Sequence, residues 1–311
     1  MSPTTKFALV FAVVLAALIW SIGKTRDSGF PSGAPGRPAN SYRTAADLTK
    51  HRAYLDSLRQ PAVHLLPAST RGFSRIGGRP TVPTGFEWPL WKGKPLGFLC
   101  QIDLAEVPRG GDFGVLPPTG FLLVFYDAEQ GTWGFDPKDR GSWRVYYFEA
   151  LNGASDLAPP SGLAKAGVFP EVPVQFASIL TYPSGLDGRV QALKLGGGEG
   201  EAYYELCATP FGGNPLHQLL GCSTPVQDND MDLQCQLVSN GIYCGDPTGY
   251  HDPRRAELEK GRGDWILLLQ IDSDDRAGMM WGDAGMLYFW IRREDLARRD
   301  FTKVWMVSQC S

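Results

Sequence analysis

The chain has 311 residues and a formal charge of −3, which is length enough for one large domain or two ordinary ones, with no basic run to meet a phosphate backbone. Nucleic-acid binding is therefore disfavoured. A hydrophobic content of 43%, with 9 Trp, 11 Tyr and 16 Phe, points to a packed globular body, and 37 Gly with 24 Pro favour short strands joined by many turns.

In chain order, Lys6 precedes an apolar run from Phe7 to Trp20, extended through Ser21 and Ile22 to Gly23 before Lys24 and Arg26. This is short for a spanning helix and long for a signal-peptide core, so residues 1–23 read as either an apolar anchor helix or a cleaved signal. The segment makes the membrane a partner, and its orientation stays open: one lysine on the N-terminal side against Lys24, Arg26 and Arg37 on the other allows a cytoplasmic body by charge count, while the usual behaviour of an N-terminal export signal favours a body outside. Residues 24–44, rich in Gly, Pro and Ser, read as a flexible linker. Ala45 to Leu58 has the spacing of one amphipathic helix, and the body is expected to occupy residues 45–311.

Beyond the helix the pattern is strands and turns. Phe98–Leu104, Phe121–Tyr126 and Arg144–Phe148 are short apolar or Val/Tyr-rich runs bounded by turn residues, and Val172–Phe176 is a further strand candidate. Two phrases recur in the same order. Phe98-Leu99-Cys100-Gln101-Ile102-Asp103 returns as Leu267-Leu268-Leu269-Gln270-Ile271-Asp272, and Gly120–Tyr126 returns as Gly285–Ile291. The spacing predicts two related halves, about 62–151 and 210–311, joined by a middle segment. Gly221 aligns with Gly78, which leaves the second copy with a long insertion before its glutamine, carrying Cys235 and Cys244. The expected class is α+β and β-dominated, with internally duplicated mixed or antiparallel sheets and a few short helices.

No Gly-x-Ser-x-Gly, His-Glu-x-x-His, phosphate-binding loop or Cys-x-x-Cys occurs, so no catalytic residue, metal site or cofactor is assigned. Of the six cysteines, Cys207, Cys222, Cys235 and Cys244 are disulfide candidates if the body is exported, while Cys100 reads as a buried free thiol. In a strand Gln101 and Asp103 share one face, as do Gln270 and Asp272. Two readings follow: the pairs line a cleft shared by the halves, or each buried glutamine bridges backbone groups. Asp274, Trp281 and Asp283 follow the second copy and complete the candidate cleft. Asp228-Asn229-Asp230-Met231-Asp232 opens like a calcium loop but lacks its glycine and its closing glutamate. Trp88 and Trp91 flank a Pro-rich turn and are expected to be more exposed than the other tryptophans.

The series Ile76-Gly77-Gly78-Arg79-Pro80, Trp88-Pro89, Gln101-Ile102-Asp103-Leu104 and Gly120–Tyr126, with Gln227, Leu267–Asp274, Trp281-Gly282-Asp283-Ala284-Gly285 and Leu287–Ile291, resembles the YwqG-like bacterial family. The resemblance covers roughly residues 60–310. It implies a β-dominated fold with internal duplication and little about function, because that family is a domain of unknown function. Cys222 stands where a tyrosine is usual, and the N-terminal apolar run is an addition. The leading expectation is a non-enzymatic binding module tethered at the bacterial envelope, recognising a protein or polar ligand. Its rivals are a hydrolase-like enzyme using Asp272, Asp274 and Asp283 with a divalent cation, and a carbohydrate binder using Trp88 and Trp91. Any working site is expected beside the second copy.

Overall fold

A computed structural model describes residues 48–109 and 111–311. The expected anchor (1–23) and linker (24–44) lie outside the described residues. Among those described, no helix is long and apolar enough to cross a membrane.

The apolar phrases fold as the strands they predict. They join four further strands in one sheet of ten: β1 (Gln60–Pro67), β2 (Arg75–Ile76), β3 (Gly97–Asp103), β4 (Phe121–Tyr126), β5 (Trp143–Phe148), β6 (Val172–Thr181), β7 (Gln218–Leu220), β8 (Trp265–Asp272), β9 (Met286–Arg292) and β10 (Trp305–Gln309). The four that the sequence does not announce are β1, β2, β7 and β10. Their order across the sheet is β10-β9-β8-β7-β1-β6-β2-β3-β4-β5. Every pairing is antiparallel, which settles the mixed-or-antiparallel alternative. Two short ribbons, 81–82 with 155–156 and 90–91 with 94–95, lie outside it.

The order is symmetric about the β1–β6 pair. Strands β2–β5 flank one side and β7–β10 the other, so the duplication is a pseudo-two-fold within a single sheet. β6, which the sequence leaves in the connecting segment, is the counterpart of β1. The first strand of each repeat has crossed over: β1 pairs with β7 of the second half, and β6 pairs with β2 of the first. The likeness extends to irregularities, since the β3–β4 register slips at Leu99 and the β8–β9 register slips at Leu268, two residues before each repeated glutamine.

The outer strands approach each other and nearly close the sheet. The Trp143 indole on β5 donates to the Val304 carbonyl (2.9 Å), and its ring meets Trp305 edge-on at 5.0 Å. The Trp305 indole donates to the Gly134 carbonyl (2.8 Å), and the Ser308 amide to the Trp133 carbonyl (3.0 Å). Both edges are thus covered by side chains and by the 133–134 segment instead of standing open.

Helices are few and peripheral. α1 (Thr49–Ser57) occupies the described part of the expected helix and buries Leu55 beside Tyr182 and Tyr203, the latter on α2 (Glu199–Ala208). α3 (Met231–Ser239), inside the long insertion, buries most of its residues, and Gln236 accepts from the Trp265 indole on β8 (2.8 Å). α4 (Arg293–Ala297) follows β9.

Candidate functional site

The repeated Gln-x-Asp sits at equivalent places in a repeated turn. Before each, two residues in succession take positive φ: Gly77 (64°) and Gly78 (75°) in one half, Leu220 (59°) and Gly221 (75°) in the other. This double left-handed step throws the chain across the end of the strand that carries the glutamine. The Gln101 carbonyl oxygen then accepts from the Thr81 amide (2.8 Å), and its amide donates to the Phe73 carbonyl (2.8 Å). Gln270 repeats both bonds, with the Thr224 amide (2.9 Å) and the Leu216 carbonyl (2.8 Å). Both glutamines are fully buried. Each amide is engaged at both ends by the backbone of its own half, so the glutamines bridge backbone groups within each half and not across the half-to-half junction.

The residues two positions on diverge. The Asp103 amide donates to Ser74 Oγ (2.9 Å), whereas the Asp272 amide donates to His217 Nδ1 (3.0 Å). A ring nitrogen that receives an N–H carries its lone pair there, so the His217 proton sits on Nε2, facing Asp274 Oδ2 at 3.3 Å. Burial pushes the Asp274 carboxyl up, but the His217 bond and the Arg276 amide at Oδ1 (3.0 Å) outweigh it and hold the group down to about 2. Asp272 behaves oppositely. Burial raises its pKa, against the Leu216 amide that donates to Oδ2 (2.8 Å). His64, on β1, donates from Nε2 to the Pro215 carbonyl (2.9 Å), and burial lowers its pKa.

A His–Asp pair of this kind suggests acid–base chemistry, but the bonding argues otherwise. A general base needs a nitrogen free for substrate. His217 has none, because one nitrogen is held by a backbone amide and the other by Asp274, and the ring is buried. Trp281, also buried, donates from its indole to the Asp272 carbonyl (3.2 Å) and fixes the same turn. Asp283 lies apart at the surface, where its carbonyl receives the Ser311 hydroxyl (2.6 Å). Asp272, Asp274 and Trp281 are therefore brought together as a packed strap, with Gln101 and Asp103 in the matching strap of the other half. Among the described residues no group of three metal-type ligands occurs.

The remaining candidates also take structural places. Cys207, Cys222, Cys235 and Cys244, the disulfide candidates, are free thiols in the structure. Burial pushes Cys207 and Cys222 up to about 12 and Cys244 up to about 11. Cys100 is the buried free thiol expected, with its pKa also raised by burial. Trp88 is partly buried and, as expected, more exposed than the buried strand tryptophans, although its indole donates to the Leu96 carbonyl (2.8 Å) and its ring packs edge-on against Phe125. Trp91 is half-buried, with the Lys92 ammonium 4.0 Å from its ring centre.

The duplicated hairpins have another pair of equivalent places, at the ends opposite their long connectors. In the first half the space beside Gly97 and Ala128 is plugged. Segment 162–167 packs so closely that a Cβ on Gly167 would lie 2.5 Å from the Ala128 Cβ, and one on Gly97 would lie 3.0 Å from Gly167 Cα. Trp281 closes in from the other side, edge-on to Tyr126 and Phe169. A cavity of about 30 Å³ is left, walled by Trp91, Lys94 and Glu129 among others.

In the second half the corresponding residues are Ile266 and Arg293, and the first half's connector, residues 114–118, crosses to meet them. What remains is an open groove of about 320 Å³, walled by residues 114–118, Ile266, Leu296 and Ala297 and rimmed by Arg293 and Arg299. Sequence reasoning missed it. The available signals were two arginines just beyond the second Gly285–Ile291 phrase, where the first copy continues Asp127-Ala128-Glu129, and the Leu116-Pro117-Pro118 run.

The model of a domain of unknown function, DUF1963, matches residues 74–310, which span both halves and the segment between them. The chain belongs to the DUF1963 family. Among curated proteins nothing matches it. The DUF1963 match begins at β2, so it takes in the whole repeated architecture except β1.

Proposed function

We propose that this DUF1963 chain is a non-enzymatic binding module that holds a small ligand in the groove between residues 114–118 and α4. The observation that carries this reading is the asymmetry of two equivalent places: that of the first half is filled by segment 162–167 from the middle of the chain and Trp281 from the second half, while that of the second half leaves about 320 Å³ open. That volume falls at the lower end of the roughly 300–1,000 Å³ of small-molecule sites. A groove walled by both halves also exists only in the folded duplicate. The hydrolase reading loses support because His217 and Asp274 satisfy each other, and the carbohydrate reading because the Trp88 ring packs edge-on against Phe125 with its indole bonded to the Leu96 carbonyl.

The test is a small-molecule screen by thermal shift on wild type and on Val115→Trp, whose indole occupies the groove. Compounds that raise the melting temperature of the wild type but not of the variant support the reading. A screen whose hits act equally on both proteins sinks it.

The finer setting is part of the same proposal. The YwqG-like motif series, the apolar run 7–23 and the Gly/Pro-rich linker support a bacterial module tethered at the cell envelope, and the export behaviour usual for an N-terminal apolar run favours a non-cytoplasmic body against the charge count of Lys24, Arg26 and Arg37. Protease protection of the full chain in spheroplasts tests this: an accessible body supports the setting, and a body protected until lysis overturns it.

A further inference from the structure

We propose that the groove takes an amphipathic monocarboxylate, with Arg293 receiving the carboxylate and the walls receiving its apolar body; this deepens the binding reading above and rests on it. The lining is chemically divided. Val115, Leu116, Pro117, Ile266 and Leu296 supply apolar wall, and the charged residues among those lining the groove are two arginines, Arg293 and Arg299. Such a surface selects an oxyanion joined to something oily, since either part alone leaves half the lining unused.

The two arginines are not equivalent. Arg299 is occupied: its guanidinium binds Glu149 (2.7 Å) and lies 5.8 Å from the Tyr147 ring centre. Arg293 has no ion pair among the described residues, although its neighbour Arg298 binds both Glu294 and Asp295. One available guanidinium offers a planar fork that matches one carboxylate in a bidentate pair. A phosphate monoester carries more charge than one such fork neutralises, and Arg299 would have to give up Glu149 to help. The occupant is a small molecule and not a peptide helix, because the volume is about 320 Å³ and Pro117 with Pro118 wall off one side.

The experiment uses the full chain in lipid nanodiscs, titrated calorimetrically with octanoate, octanol and octyl phosphate, with empty nanodiscs subtracted. The expected result is saturable octanoate binding, at least tenfold weaker binding of octanol, and at least tenfold loss of octanoate affinity in Arg293→Met, which keeps the apolar stem. Octanol binding should be unchanged by that substitution. Equal binding of octanoate and octanol, unaltered in Arg293→Met but lost in Val115→Trp, overturns the carboxylate assignment while leaving the groove as a binding site. Octyl phosphate binding tenfold tighter than octanoate also overturns it. Binding that Val115→Trp does not disturb removes the groove itself, and this proposal with it.

Discussion

At the scale of single residues, the polar groups that look like chemistry in the sequence are spent on holding turns. Gln270 satisfies the Thr224 amide and the Leu216 carbonyl from a fully buried position. Removing its side chain orphans both, and an orphaned buried group costs about 1–3 kcal/mol. Gln270→Ala should therefore lower stability by roughly 2–4 kcal/mol in urea titrations, and Gln101→Ala by a similar amount. Losses below about 0.5 kcal/mol would show that the amides are not the fastening. Asp274 adds a pH dependence. Its native pKa of about 2 lies below the ordinary carboxylate value, so folding favours the ionised form. That contribution is complete above about pH 4, disappears as pH falls toward 2, and amounts to roughly 2 kcal/mol. Asp272, raised by burial, works in the opposite sense, its ionisation costing stability as pH rises. The expected outcome is that Asp274→Asn is less stable than wild type at neutral pH, with the gap narrowing between pH 4 and pH 2. A gap constant with pH would contradict the assignment.

At the scale of elements, six of the sheet strands were legible as short apolar runs bounded by turn residues, and the duplication because strand phrases repeat, whereas Gln60–Pro67, Arg75–Ile76, Gln218–Leu220 and Trp305–Gln309 were not. The partners of Gln101 and Gln270 were not. Thr81 and Phe73 lie 20 and 28 residues away, and Thr224 and Leu216 lie 46 and 54 away, with no local periodicity to betray the contact. The groove was hidden for the same reason, since its walls come from a connector in one half and a helix in the other. The turns themselves depend on Gly221, which joins a positive φ to a tight approach: a Cβ there would lie 2.5 Å from the Ala62 Cβ and 2.6 Å from Thr181 Oγ1. Gly221→Ala thus combines a strained conformation with a clash at the β7–β1–β6 junction. A loss of at least about 2 kcal/mol is expected in thermal or urea unfolding. A change within 0.5 kcal/mol, on the scale of an ordinary surface substitution, would mean the turn relaxes freely.

For the whole molecule, the near-closure of the sheet rests on a few aromatic contacts between β5 and β10. Trp143→Phe keeps most of the packing and deletes the indole bond to the Val304 carbonyl. It should cost about 1–3 kcal/mol, and amide exchange should rise first along β5 and β10 while β1 and β6 stay protected. Exchange rising uniformly would indicate that the seam does not open separately.

The crossed first strands bear on the order in which the chain can be built. β1 is among the earliest parts of the body to be synthesised, yet both of its neighbours, β6 and β7, come from beyond residue 171; a bond such as Thr181 Oγ1 to the Gln60 carbonyl closes a separation of 121 residues. The centre of the sheet therefore cannot form until the chain has been made through Leu220. Long-range pairing of this kind is slow, and a nascent β1 needs protection from other strands until its partners arrive. The same crossing makes the halves inseparable, since β1 completes its pairing only when β7 of the second half reaches it.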